Sequence, residues 1–161
     1  RALRHPATAL GVARFVGSPS INVLALPAAD GVCRLAGERA VAVHGPQAAD
    51  LLRHGGHVAI RPEGLQLIGI EARVDDENGG HVAAVLNRVE HHGADWVLQV
   101  AVPSWQTQLT VRTAQRLATP KTAPGAPLRL GWCWSELQLF DRHEQRVAAT
   151  VHAAPRIAAA A

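Results

Sequence analysis

The sequence lacks most of what a catalytic, secreted or membrane-spanning chain needs. It has no methionine and starts at Arg1, so we expect a piece of a longer polypeptide. It has a single lysine, Lys121, and its basic residues are otherwise arginines scattered from Arg1 to Arg156 among acidic ones, with no basic run. A nucleic-acid footprint is a stripe or block of positive charge, so no nucleic-acid partner is expected. Only two cysteines occur, Cys33 and Cys133. That is too few for a disulfide framework, and their apolar neighbours predict two buried thiols in a reducing compartment. No apolar run approaches the roughly 20 residues that span a bilayer.

Phosphate chemistry is missing as well. A nucleotide loop needs several glycines ahead of a lysine, whereas Lys121-Thr122 follows Ala118-Thr119-Pro120. No serine lies in a glycine-flanked elbow. The nine histidines include His54 and His57 and the adjacent His91-His92, all in glycine-rich turns. Zinc wants three or four converging ligands, and neighbouring strand residues point to opposite faces, so no metal is expected. Asp75-Asp76-Glu77 reads as a solvated acidic turn. No catalytic residue and no cofactor-binding residue is expected in this chain.

What is present is period-two alternation with turns every eight to twelve residues. Ile21 to Leu26 is a strand stopped by Pro27. Val32–Ala36 and Arg39–His44 flank Gly37 as a hairpin. Short strands follow around Val58-Ile60 and Leu65-Leu67. Asn78-Gly79-Gly80 is a turn signal. Val82–Glu90 and Asp95–Val102 are two strands around His91-His92-Gly93, and Trp96, Leu98, Val100 and Val102 share one face. Leu109 and Val111 alternate with polar residues. Leu128, Leu130, Trp132 and Trp134 share a face, with Leu137, Leu139 and Phe140 beyond. Trp96, Trp132 and Trp134 are expected in the core and Trp105 outside it.

The prolines at 120, 124 and 127 make Leu117–Pro127 an exposed loop. His5 to Gly17 reads as one short N-terminal helix, with Pro6 in its first turn and Gly17 and Pro19 ending it. The fold class is all-β, a barrel or sandwich with that helix in front. Residues 1–19 are read as helix and linker, 20–150 as the β domain, and 151–161 as a flexible alanine-rich tail without a core role.

Several strings, in order, resemble the ATP-binding subunits of ABC importers of the maltose and glycerol-3-phosphate type. Val12 to Leu24, with Gly17-Ser18-Pro19 and Asn22, is similar to the passage from the nucleotide-binding domain into the regulatory domain. Arg61-Pro62-Glu63 resembles the family's arginine-proline-glutamate signature. Val89-Glu90-His91-His92-Gly93 resembles its valine-glutamate-x-x-glycine hairpin. Leu139-Phe140-Asp141 resembles its closing strand, and Pro103–Arg112 looks closest to the maltose type. The resemblance covers about 130 residues. Gly64 stands where the family often has histidine, Ile21 where methionine is usual, and Gln145 where a turn glycine is usual.

The resemblance implies OB-like (MOP-like) small barrels of the transport-associated type, serving as a regulatory and dimerisation domain for uptake of a sugar or related solute. It implies as partners the chain's own nucleotide-binding domain, a second copy and the membrane permease subunits. ATP and magnesium would then belong to that nucleotide-binding domain, and the complex to the cytoplasmic face of the membrane. From the residues alone, Asn22 is expected to bond neighbouring backbone at its corner. Arg61 and Glu63 are expected on one face of an extended segment, paired with each other or reaching a partner. The alternative is a small oxyanion-binding barrel of the molybdate-binding type, against which the absence of a serine-alanine-arginine-asparagine string counts. An oligonucleotide-binding barrel is disfavoured by the diffuse charge.

Overall fold

The computed structural model describes residues 21–114 and 123–155. The expected N-terminal helix, with Gly17, Ser18 and Pro19, lies outside them, as do Lys121 and the end of the tail. Within them the chain is all-β, as the alternation predicts, with three antiparallel sheets. The first holds β1 (Asn22–Leu26), β5 (Gly56–Ile60) and β11 (Gln138–Asp141) in the order β1-β5-β11. The second runs β12-β4-β3-β2, from β2 (Ala28–Ala29), β3 (Val32–Leu35), β4 (Arg39–His44) and β12 (Thr150–Ala153). The third runs β6-β10-β7-β8-β9, from β6 (Gln66–Ile68), β7 (Gly79–His92), β8 (Asp95–Val102), β9 (Thr107–Thr113) and β10 (Pro127–Cys133).

Alternation decides which side chains enter. Leu24 and Leu26, Val41 and Val43, Leu98 to Val102 by twos, and Leu109 and Val111 all point into one core shared by the three sheets. A second, smaller cluster joins Ala59 and Phe140, with Ile21 and Val23 packed against them. A register slip of one residue would carry each hydrophobic set to the opposite face, so the packed interior fixes the pairing. β7 is longer than expected and bulges between Leu86 and Arg88, which bends the hairpin it forms with β8.

Three tryptophans meet in the core. Trp132 lies 5.6 Å from Trp105 and 5.9 Å, edge to face, from Trp134, within the range where aromatic pairs attract. Trp105 is therefore buried rather than exposed. The short 3-10 turn Pro103–Trp105 swings it inward. Trp96, by contrast, is only half-buried and stacks on His91 at 4.4 Å.

The expected turn at Asn78-Gly79-Gly80 ends at Asn78, and both glycines begin β7. Their role is close approach. A Cβ on Gly79 would strike the Trp132 carbonyl oxygen, and one on Gly80 would strike the Trp132 indole. These glycines let Trp132 lie flat against the strand it pairs with.

Other expectations change for equally local reasons. Pro127 opens β10 opposite Val85, because the first residue of a strand need not donate. Ala126 and Gly125 also bond to Leu86. The tail expected from Val151 instead begins with β12, which pairs with β4 and buries Val151. Cys33 is buried and donates from Sγ to the Leu51 carbonyl at 3.3 Å, whereas Cys133 is exposed.

A helix of seven residues, α1 (Ala48–His54), joins β4 to β5. Its signals are in the sequence. Ala48 and Leu51 are its buried side, Asp50 stands in the first turn, Arg53 and His54 in the last, and Gly55 ends it. No helix among the described residues is long and apolar enough to cross a membrane.

Candidate functional site

β1 pairs with β5 so that Asn22 faces Ile60, which sets Asn22 beside the Arg61-Pro62-Glu63 corner. Among the described residues Asn22 is the buried polar side chain. Its Nδ2 donates to the Thr110 carbonyl at 2.8 Å, and its Oδ1 accepts from the Thr110 amide at 2.8 Å. Thr110 lies on β9, the edge of the five-stranded sheet. The Asn22 amide thus does for Thr110 what a neighbouring strand would do, and it ties the first sheet to the third. This corrects the expected local corner bond: the partner is 88 residues away.

The corner itself is a 3-10 turn, Pro62–Gly64, entered from an extended Arg61. Proline suits its first position, and the Gly64 amide bonds back to the Arg61 carbonyl at 2.9 Å. Pro62, Gly64 and Leu65 are buried while Arg61 and Glu63 stand outside. A Cβ on Gly64 would sit 3.3 Å from Glu136 and from Ile60, so a larger residue there needs both neighbours to give way.

Of the two arrangements expected for Arg61 and Glu63, pairing with each other or reaching a partner, the first is absent, because Glu63 lies on a turn rather than on the same extended segment. Among the described residues neither side chain has an ion pair or hydrogen bond. The turn packs against β9. Beside it an open cleft of about 650 Å³ runs between Glu63, Gln66 and Leu67 on one wall and Asp95, Arg112 and Thr113 on the other. Arg112 Nε donates to Asp95 Oδ2 at 2.9 Å across β8 and β9.

The remaining signature residues lie elsewhere. Glu90 sits near the tip of the β7–β8 hairpin, 2.6 Å from Arg88 and 2.9 Å from His92. The hydrogen bond from His92, helped by the Arg88 charge, holds its carboxyl below the usual range. Gly93 takes a φ of +63° in the turn, a conformation glycine adopts without steric cost. Phe140 is fully buried, and Asp141 is opposite Gly56 at the far end of β5 from Arg61. The Asp141 carboxylate accepts the amides of His143 and Gln145 at 2.8 and 2.9 Å, closing the turn after β11. The positive-φ residue of that turn is Glu144, not Gln145.

The structure thus brings Asn22, Arg61 and Glu63 to one corner, and leaves Glu90 and Gly93 on a hairpin and Phe140 and Asp141 in a sheet and its exit. The acidic run is not simply solvated. Asp76 is bridged by Arg39 and accepts Trp134 Nε1 on its carbonyl at 3.0 Å. Asp76 and His81, close in sequence, meet Arg39 and Arg129 from distant parts of the chain, with no spacing signal that links them.

Among the described residues no group of three or more His, Cys, Asp or Glu side chains is placed to hold a metal. The one lysine of the sequence, Lys121, lies outside the described residues and has no glycine-rich loop before it.

No curated protein matches the chain. A family model described as TOBE domain matches residues 58–140, more than half of the 161 residues. That span runs from β5 through the Arg61-Pro62-Glu63 corner and the long hairpin to Phe140. The chain belongs to the TOBE domain family.

Proposed function

We propose that this chain is the regulatory domain of the ATP-binding subunit of an ABC importer for a sugar or related solute. TOBE domains are associated with the regulatory regions of ABC-transporter ATPases. The observation that carries the reading is the coincidence of the family match with the signature corner, where Arg61 and Glu63 stand exposed and unpaired among the described residues. Charges that a fold does not use internally are available to a partner. In this reading the corner contacts the subunit's own nucleotide-binding domain, which holds ATP and magnesium and does the hydrolysis. This domain adds no catalytic residue. It also contacts a second copy, and it lies at the cytoplasmic face of the membrane through the permease subunits.

The test is the reading frame that precedes the codon for Arg1. A phosphate-loop ATPase there supports the proposal, and an unrelated domain overturns it. Solute uptake in a strain carrying Arg61→Ala with Glu63→Ala separates regulation from folding: a change in uptake at unchanged protein level is expected.

A further inference from the structure

The segment between β6 and β7, residues 69–78, has no strand or helix of its own, yet it is fastened to the third sheet. The fastener is Arg129, on β10 opposite Ala83 of β7 and Ile68 of β6. Its Nη1 reaches the carbonyl oxygens of Ala72 at 2.6 Å, Ile70 at 3.0 Å and Gly69 at 3.3 Å. Its Nε donates to Nδ1 of His81 at 3.3 Å. One guanidinium therefore holds three loop carbonyls and one imidazole at once.

The other side of that imidazole faces the same loop. His81 Nε2 is 3.8 Å from Asp76 Oδ1, and Arg39 from β4 reaches that carboxylate at 3.3 Å. Arg39 also lies over the Trp134 ring, 5.5 Å from its centroid. Among the described residues the charged groups around His81 are thus Asp76 from the loop, Arg129 from β10 and Arg39 from β4.

The proton on Nδ1 decides whether the arrangement holds. Neutral imidazole protonated on Nε2 offers a lone pair at Nδ1, which accepts the Arg129 N–H. Imidazolium has an N–H there instead, so two donors and two like charges would face each other. Arg129 then has to turn away, and its carbonyl bonds leave with it. Partial burial, then the charge of Arg129, keep the imidazole pKa below its ordinary range; Asp76 pulls it up and Arg39 pulls it down again. The closed form is therefore the one present at neutral pH.

We propose that His81, Arg129 and the carbonyls of Gly69, Ile70 and Ala72 form a proton-operated strap that opens when His81 Nδ1 is protonated. The segment it releases carries Ile70, an apolar side chain 58% exposed at the surface. Acidification thus changes how the domain presents that side chain, while the three-sheet core stays as it is.

The test is an NMR titration of the full chain, following the His81 ring and the backbone order parameters of residues 70–73. Order parameters are expected to fall from about 0.85 to below about 0.6 with the same midpoint as His81. That midpoint should lie below about 6.5, the ordinary imidazole value. His81→Gln should keep the segment ordered across the range, and Arg129→Lys should leave it mobile at neutral pH. A segment that stays ordered through the His81 titration overturns the proposal, as does the same transition in His81→Gln. If either variant fails to fold, the wild-type comparison of the two midpoints decides alone.

Discussion

The Arg61-Pro62-Glu63 corner and the Arg129 strap are both charged surface features beside the third sheet, and they use their charges in opposite ways. At the strap, Arg39, Asp76, His81 and Arg129 contact one another or nearby backbone. At the corner, the side chains of Arg61 and Glu63 make no ion pair or hydrogen bond among the described residues, and the turn is held by a buried proline, a packed glycine and the neighbouring Asn22 clamp. The difference separates charge spent on the fold from charge left for something else. A sequence motif marks the second kind, and no motif marks the first.

Removing Asn22 is the strongest way to ask whether the corner is held by backbone pairing rather than by its charges. Asn22→Ala leaves the Thr110 amide and carbonyl without their partner, and the expected loss is about 2–4 kcal/mol of unfolding free energy in urea titration. A loss under about 1 kcal/mol would mean that water replaces the clamp.

Arg129→Ala comes next. It removes the guanidinium from partly exposed carbonyls, so about 1–2 kcal/mol is expected, with the change in hydrogen exchange confined to residues 69–78. Exchange that rises across all three sheets would show that Arg129 supports the whole core instead.

A smaller effect is expected from pH. His81 has a lowered pKa in the fold, so between that value and the ordinary one near about 6.5 the unfolded chain binds more protons. Stability from this group is complete above the unfolded value and falls as pH drops through it toward the folded value. Denaturation followed between mildly alkaline and mildly acid pH should show that decline in the wild type and a shallower one in His81→Gln. Equal slopes would contradict it. The smallest effect belongs to the corner: Arg61→Ala and Glu63→Ala should each stay within about 0.5 kcal/mol of the wild type.

Much of the fold was legible because half-buried strands announce themselves by alternation. β3 and β4, β8, β9 and the inward side of β10 follow from it directly. Three things were hidden. The burial of Trp105 is hidden because a 3-10 turn, not the strand period, sets its direction. Gly79 and Gly80 looked like turn formers, since sequence cannot tell a glycine kept for φ from one kept for the approach of Trp132. Val151 looked like tail because its pairing partner on β4 is over a hundred residues earlier. The same distance hides the polar junctions. Asn22 finds Thr110, and His81 finds Arg129, only after the sheets assemble. The corner was legible in composition but not in shape, because Pro62 starts a turn that takes Glu63 off the line of Arg61.

The proposed contact between this TOBE domain and a nucleotide-binding ATPase domain runs through Arg61 and Glu63, whose side chains have no ion pair or hydrogen bond among the described residues. The direct measurement is a titration of the isotopically labelled chain with that ATPase domain, produced separately, mapping amide shifts. The account predicts shifts centred on residues 61–66 and the facing end of β9, at least tenfold weaker binding in Arg61→Ala with Glu63→Ala, and unchanged thermal stability. Shifts elsewhere on the surface, or undiminished binding by the double variant, would contradict it.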